Sequence, residues 1–221
     1  MTTFSMDSVI LLHGAGRTPR SMGRLAKALA KQGFRVHNLG YSSRRAPIDE
    51  LATQISVQID QIQFDPHCKI HFVTHSLGGI VLRQYLKDQP LLNLGRVVML
   101  APPNQGSELA DIFRRLPLFD WILGPVGAQI GTAPESLPNF LGPVKSEVGV
   151  IAGNRSFNPL FSLLIPGPDD GRVAVERTKL SGMTDFLMLP CIHPLIMNYA
   201  SVIRQTIYFL QQGRFDYSGT A

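Results

Sequence analysis

Hydrophobic positions along the chain follow two patterns, short unbroken runs and longer stretches spaced at three to four residues. Ser8 to Leu12 is a continuous run, as expected of a strand buried on both faces of a parallel sheet. Thr18 can then cap a helix whose first residue is Pro19, with Met22, Leu25, Ala26 and Leu29 on one face and Gly33 at its close. Phe34 to Leu39 reads as a second strand. Pro47 opens a helix whose Ile48, Leu51, Ile55, Ile59 and Ile62 share a face. Lys69 to Thr74 is a third strand, followed by a helix through Ile80, Val81 and Tyr85. Arg96 to Leu100, Glu147 to Ala152 and Phe186 to Leu189 make six strands, and Pro194 to Gln212 forms a last helix. Strands alternating with helices predict an α/β fold, with a mostly parallel six-stranded core sheet and helices on both faces.

Pro102 to Val144 breaks this rhythm, being too long for an ordinary connection. Its prolines and glycines surround Phe113, Leu116, Leu118, Phe119, Trp121, Ile122 and Leu123. The stretch is expected to be a helical layer on the core and a cap or lid insertion, at about 102–144, lining an apolar pocket. Phe119 and Trp121, with His75 just after the third strand, are the expected pocket residues.

With 221 residues, a single domain over 1–221 is expected. An apolar content of 44% with 17% charged excludes a disordered chain, collagen or a coiled coil. No run of about 18 apolar residues is free of charge or proline, so stable membrane insertion is not expected. Val9 to Leu12 begins so near Met1 that no secretory leader fits before it, which predicts a cytoplasmic protein or a leader absent from this chain. The net charge of +5 comes from scattered Lys and Arg with no aromatic-interleaved basic stripe, so nucleic acid is not an expected partner. Cys68 precedes the third strand and Cys191 follows the last. They lie at opposite ends of a sheet about 16 Å long, too far apart for a disulfide, so both should stay as thiols.

The chemistry concentrates in Thr74-His75-Ser76-Leu77-Gly78-Gly79, directly after a strand and before a helix. A strand–turn–helix elbow of the G-x-S-x-G type presents a serine hydroxyl at the top of a sheet and needs small residues on either side. Gly78 supplies one of them, and Thr74 replaces the other. Upstream, Leu11-Leu12-His13-Gly14-Ala15-Gly16 also follows a strand. A serine acyl transfer needs backbone N–H groups aimed at the developing oxyanion, and Ala15 and Leu77 would be those donors. His13 is read as ordering this loop rather than reacting. A phosphate loop is excluded, because no Lys-Ser/Thr pair follows and no G-x-G-x-x-G is present. The serine then needs a base and an orienting acid, in the chain order Ser, Asp/Glu, His. His193 is the only histidine after His75. Asp170, followed by Gly171, is the better acid and Asp169 the reserve. Arg17 and Arg20 lie just past the first loop and would bias a substrate toward acidic groups.

These segments, with Tyr41-Ser-Ser-Arg-Arg, Leu100-Ala-Pro-Pro-Asn-Gln-Gly-Ser and Val150-Ile-Ala-Gly-Asn, resemble a small bacterial lipase/esterase-like member of the α/β-hydrolase superfamily. The resemblance covers most of the chain. It implies an α/β-hydrolase fold with Ser76 as nucleophile, His193 as base, Asp170 as acid, and Ala15 and Leu77 as oxyanion donors. The implied activity is carboxylic ester hydrolysis through an acyl-enzyme, on a small-molecule ester or lipid-like substrate, with no cofactor. A thioesterase or acyltransferase would use the same triad, while a non-catalytic binding protein on this fold would have lost part of it. Two departures stand out. Thr74 occupies the position where most relatives have glycine. Secreted bacterial lipases often carry calcium-binding acids beside the histidine, but here Pro194, Leu195, Ile196 and Met197 follow, so no metal is expected.

Overall fold

The computed structural model describes residues 6–114 and 124–218. Its strands are β1 (Ser8–Leu12), β2 (Arg35–Leu39), β3 (Ile70–His75), β4 (Leu94–Leu100), β5 (Val148–Gly153) and β6 (Asp185–Leu189). The helices among the described residues are α1 (Gly23–Lys31), α2 (Ile48–Asp60), α3 (Leu77–Asp88), α4 (Glu108–Phe113), α5 (Pro125–Gln129), α6 (Leu137–Phe140), α7 (Pro159–Ser162), α8 (Val175–Thr178) and α9 (Ala200–Gln212). The strands form one sheet in the order β2-β1-β3-β4-β5-β6. Every neighbouring pair is parallel, so the sheet is more uniform than the sequence predicted.

Alternate strand residues feed opposite layers, as the two-residue period of a strand dictates. Val9, Leu11, Val73, Val98 and Ile151 pack with Leu25 and Leu29 of α1 and Val202 and Phe209 of α9. Ile10, Leu12, Phe72, Met99 and Val150 pack with Leu51 and Ile55 of α2 and Ile80 and Tyr85 of α3. Burying each such side chain contributes about 1.5–3 kcal/mol, so continuous apolar runs are what a sheet covered on both faces requires.

Two predicted helices divide. The one opening at Pro19 is a 3-10 turn over Pro19–Met22 before α1, and Thr18 makes no side-chain cap. The one opening at Pro194 is a 3-10 turn over His193–Asn198, separated from α9 by an extended Tyr199. That break sets His193 at the head of its own short turn. Cys68 and Cys191 are both buried thiols with no disulfide between them. No helix among the described residues is long and apolar enough to cross a membrane.

In the segment between β4 and β5, α4 and Ile130, the residue after α5, border the cavity at the carboxyl ends of the strands, while Phe140 of α6 lies under Lys87 of α3. Phe119 and Trp121, expected to line a pocket, lie outside the described residues. The base of the segment is fastened by Arg83 of α3. Its buried guanidinium donates to the carbonyls of Asn104 at 3.1 Å, Pro138 at 2.8 Å and Gly142 at 2.8 Å. Burial lowers this guanidinium to about 10.

Candidate active site

Ser76 is the single residue between β3 and α3, and its φ of 52° is one no ordinary residue prefers. The strain is held by crowding on both sides. A Cβ at Gly78 would stand 2.6 Å from the Leu12 carbonyl oxygen and 2.9 Å from that of His13. A Cβ at Gly14 would stand 2.8 Å from His75 Nδ1 and 3.2 Å from Ser76 Cβ. Two glycines therefore let β1's outgoing loop lie directly against the serine turn. Thr74 fits because the space is taken elsewhere: a Cβ at Gly79 would meet Thr74 Oγ1 at 3.3 Å and Pro102 Cβ at 3.1 Å. The bulk added at residue 74 is met by the missing side chain at residue 79.

That outgoing loop is ordered by His13. Its ring stacks on Tyr41 with centroids 4.3 Å apart, its Nδ1 donates to the Gly14 carbonyl at 3.0 Å, and Tyr41's hydroxyl donates to the His13 carbonyl. Gly16 N–H donates to Ser43 Oγ at 3.0 Å. The loop so held brings Ala15 beside Ser76. Leu77 opens α3, where an N–H has no intrahelical acceptor. Neither the Ala15 nor the Leu77 amide has an acceptor among the described residues, and both residues line the same cavity.

Three side chains from three loops meet there. Ser76 Oγ lies 3.0 Å from His193 Nε2, and His193 Nδ1 lies 2.7 Å from Asp170 Oδ2. Asp170 is fully buried, and its Oδ1 accepts from the N–H groups of Arg172 at 3.0 Å and Val173 at 2.9 Å. An acceptor-only carboxylate facing Nδ1 puts the imidazole proton there, which leaves Nε2 to accept from the serine hydroxyl. Asp169 turns away: its Oδ1 accepts from Ser162 Oγ at 3.0 Å and Gly171 N–H at 2.6 Å. The two aspartate-bearing and histidine-bearing loops can approach because β5 ends on Gly153. A Cβ there would stand 2.5 Å from the Cys191 carbonyl oxygen and 2.9 Å from Asp170 Cβ. The His193 N–H also donates to the Asp170 carbonyl at 2.9 Å.

His75 borders the cavity, but mainly it braces. Its Nε2–H donates to the His193 carbonyl at 3.1 Å, while its buried Nδ1 has no hydrogen-bond partner among the described residues. Burial above all, then the neighbouring His193, hold its pKa well below the ordinary 6.5. The unfolded chain therefore binds a proton below pH 6.5 that the folded chain refuses, and stability falls as pH falls through that value. The slope from this group approaches about 1.4 kcal/mol per pH unit. Urea midpoints at pH 7.5, 6.5 and 5.5 should drop toward acid in the wild type and drop less in His75→Gln. Parallel curves for the two proteins would show that His75 is not the source.

The cavity opening on Ser76 has a volume of about 380 Å³. Leu109, Ala110 and Phe113 of α4, with Ile130, Phe161 and Val173, give it an apolar wall, and Arg17 and Arg172 also border it. Phe161 and Arg172 were not anticipated from the sequence. The apolar run from Phe157 to Ile165 was the available signal for the first; the position of the second depends on how the Asp170 loop turns. Arg20, paired with Arg17 in the sequence reading, does not line the cavity. Among the described residues no three His, Cys, Asp or Glu side chains group as metal ligands.

The sequence model of the alpha/beta hydrolase family matches residues 9–202. Among solved structures, the chain is similar to the mature form of a Bacillus licheniformis lipase at 16% identity and a TM-score of 0.71, covering 95% of this chain and 91% of that one. It is similar to Aspergillus fumigatus lipase B at 13% identity and a TM-score of 0.71, covering 96% of this chain and 55% of that one. A metagenomic carboxyl esterase matches at 16% identity and a TM-score of 0.62, covering 86% of this chain and 65% of that one. No curated protein matches the chain.

Proposed function

The chain belongs to the alpha/beta hydrolase family, and from that membership we propose that it is a serine hydrolase cleaving carboxylic esters through Ser76, His193 and Asp170. The unbroken relay from Ser76 Oγ through His193 to a buried Asp170, at 3.0 and 2.7 Å, carries the reading. His193 Nε2 takes the hydroxyl proton as Ser76 Oγ bonds to the ester carbonyl carbon. Asp170 keeps the imidazole in the productive tautomer and stabilises its positive form. The Ala15 and Leu77 amides receive the oxyanion, each such donor being worth roughly 10²–10³ in rate where measured. His193 then hands its proton to the departing alcohol. In the second half it deprotonates a water that attacks the acyl-enzyme, and the acid leaves with Ser76 restored. The apolar wall from α4 and Phe161 suits an acyl chain, and the segment at about 102–144 is read as the cap over it.

The deciding experiment is covalent labelling. A fluorophosphonate should form one adduct per chain, mapped to Ser76 by peptide mass spectrometry, and labelling should run in step with loss of p-nitrophenyl butyrate turnover. Full labelling at another residue, or turnover that survives modification of Ser76, would remove this assignment.

A further inference from the structure

Arg17 and Arg172 border the same cavity as Ser76 and His193. The Arg17 side chain and the Arg172 backbone are held there by contacts of their own. Arg17 Nη2 donates to the Pro194 carbonyl at 3.2 Å, one residue beyond His193, and the Arg17 N–H donates to the Gly14 carbonyl at 3.2 Å. Arg172 has its N–H bound by Asp170 Oδ1 at 3.0 Å and its carbonyl bound by Ser107 Oγ at 3.3 Å. Neither guanidinium forms a salt bridge among the described residues. Asp170, whose charge acts on Arg172, already serves His193 and two backbone amides with its two oxygens.

Two like charges gathered at one opening, where the Asp170 carboxylate is already engaged, repel each other and leave a local positive potential. The repulsion reads out in their neighbours. Arg172 reaches solvent at the mouth, yet its pKa lies below the ordinary arginine value, through burial first and then through Arg17's charge. Both charges also help to depress His75. Two guanidinium groups at one opening are suited to hold an anion, because guanidinium donors bind phosphate and carboxylate oxygens through charge-assisted hydrogen bonds. The pair flanks His193, the group that returns a proton to the departing alcohol. The rest of the cavity wall, from Leu109, Ala110, Phe113, Ile130 and Phe161, offers no counter-charge and suits the acyl half.

We propose that Arg17 and Arg172 form an anion-binding pair at the cavity mouth, and that the natural substrate is an ester whose alcohol half carries a phosphate or carboxylate group. The substrate part rests on the ester-hydrolase reading above; the anion site does not. In the reaction the anion is a handle only. The ester C–O bond breaks, the alcohol leaves with its charged group intact and the proton delivered by His193, and water later releases the acyl group.

Two measurements separate the proposal from the reading it rests on. Calorimetry on the intact Ser76→Ala chain with phenyl phosphate, benzoate and phenol tests the pair without turnover. The two anions should bind at least about tenfold tighter than phenol, less so at high salt, and Arg17→Gln or Arg172→Gln should erase most of that difference. The tighter of the two anions identifies phosphate or carboxylate as the preferred group. On the unaltered Ser76 background, 4-carboxyphenyl butyrate should be cleaved with a kcat/KM about tenfold above its neutral methyl ester, and either arginine variant should lose more on the charged ester than on the neutral one. Anions binding no tighter than phenol, with both esters cleaved alike in wild type and variants, overturn the anion pair and leave the ester hydrolase standing. Arginine-dependent anion binding with neither ester cleaved upholds the pair and overturns its ester substrate.

Discussion

Replacing Asp170 with asparagine should keep the fold and cut kcat by about 10⁴, the loss known for a triad acid converted to its amide. The carboxylate's surroundings explain why the amide fails in either orientation. Asp170 faces three N–H donors, His193 Nδ1 on one oxygen and the amides of Arg172 and Val173 on the other. An Asn NH₂ turned toward His193 needs an unprotonated Nδ1, so the proton moves to Nε2 and the ring no longer accepts from Ser76. An NH₂ turned the other way meets two backbone donors, and the loop that presents the residue must open. Asp169→Asn is the matched control, one residue away and also buried. Its Oδ1 accepts from Ser162 Oγ and Gly171 N–H, and an amide oxygen can do the same. Its loss should be tenfold at most, as expected of a loop hydrogen bond worth about 1 kcal/mol. Steady-state rates on a neutral ester, with circular dichroism to check folding, decide the matter. A reversed order of losses would transfer the acid role to Asp169, and small losses in both would take it from this loop.

The second large effect is expected from a single methyl group. In Gly78→Ala the new Cβ must displace the carbonyls of Leu12 and His13, which lie 2.6 and 2.9 Å from its ideal position. These are backbone atoms at the exit of β1, so no flexible side chain can absorb the clash. Overpacking of this kind costs about 3 kcal/mol or somewhat more. The displaced loop carries Ala15, so ester turnover should fall at least 100-fold, about the loss of one oxyanion donor. Gly23→Ala provides the contrast, because nothing lies within 4 Å of its added Cβ and it opens α1 with an ordinary helical φ of −61°. That change should be neutral or slightly stabilising. Denaturation midpoints and turnover on the two variants, measured together, test the point; a Gly78→Ala protein with wild-type values for both would mean the β1 loop yields without consequence.

The strands were legible because a parallel sheet covered on both faces calls for apolar runs, nearly unbroken in β1 and β5 though interrupted by polar residues in β2 and β3, and all six begin and end within about two residues of where those runs place them. Helix starts were read less well. Pro19 and Pro194 mark where helical backbone begins, but whether the first turn is 3-10 or α depends on what the chain packs against, and Tyr199 is extended for reasons no local propensity carries. Ser76, His193 and Asp170 could be picked out because each follows a strand, and strand ends of one sheet converge at one edge. Arg172 could not, because its approach to Arg17 bridges two loops far apart in the chain. Thr74 looked like a defect in the elbow when read alone. Only contact across the turn ties it to Gly79, and a pair separated by five residues in a strand–turn–helix has no sequence period to reveal it.

The strand order has a bearing on how the chain is made. Once β1 and β3 have paired, β4, β5 and β6 join the same growing edge one after another in the order of synthesis. A nascent chain emerging from the ribosome can therefore fold by accretion, each new strand shielding the last. Until β6 arrives, the outer edge is β5, Val148–Gly153, whose residues are all buried in the finished protein. A bare apolar edge of that kind is a template for pairing with other chains. The interval between translation of β5 and of β6 is thus one stage exposed to aggregation. His193 emerges only after β6, so the Ser76–His193 contact can form only after that edge has closed.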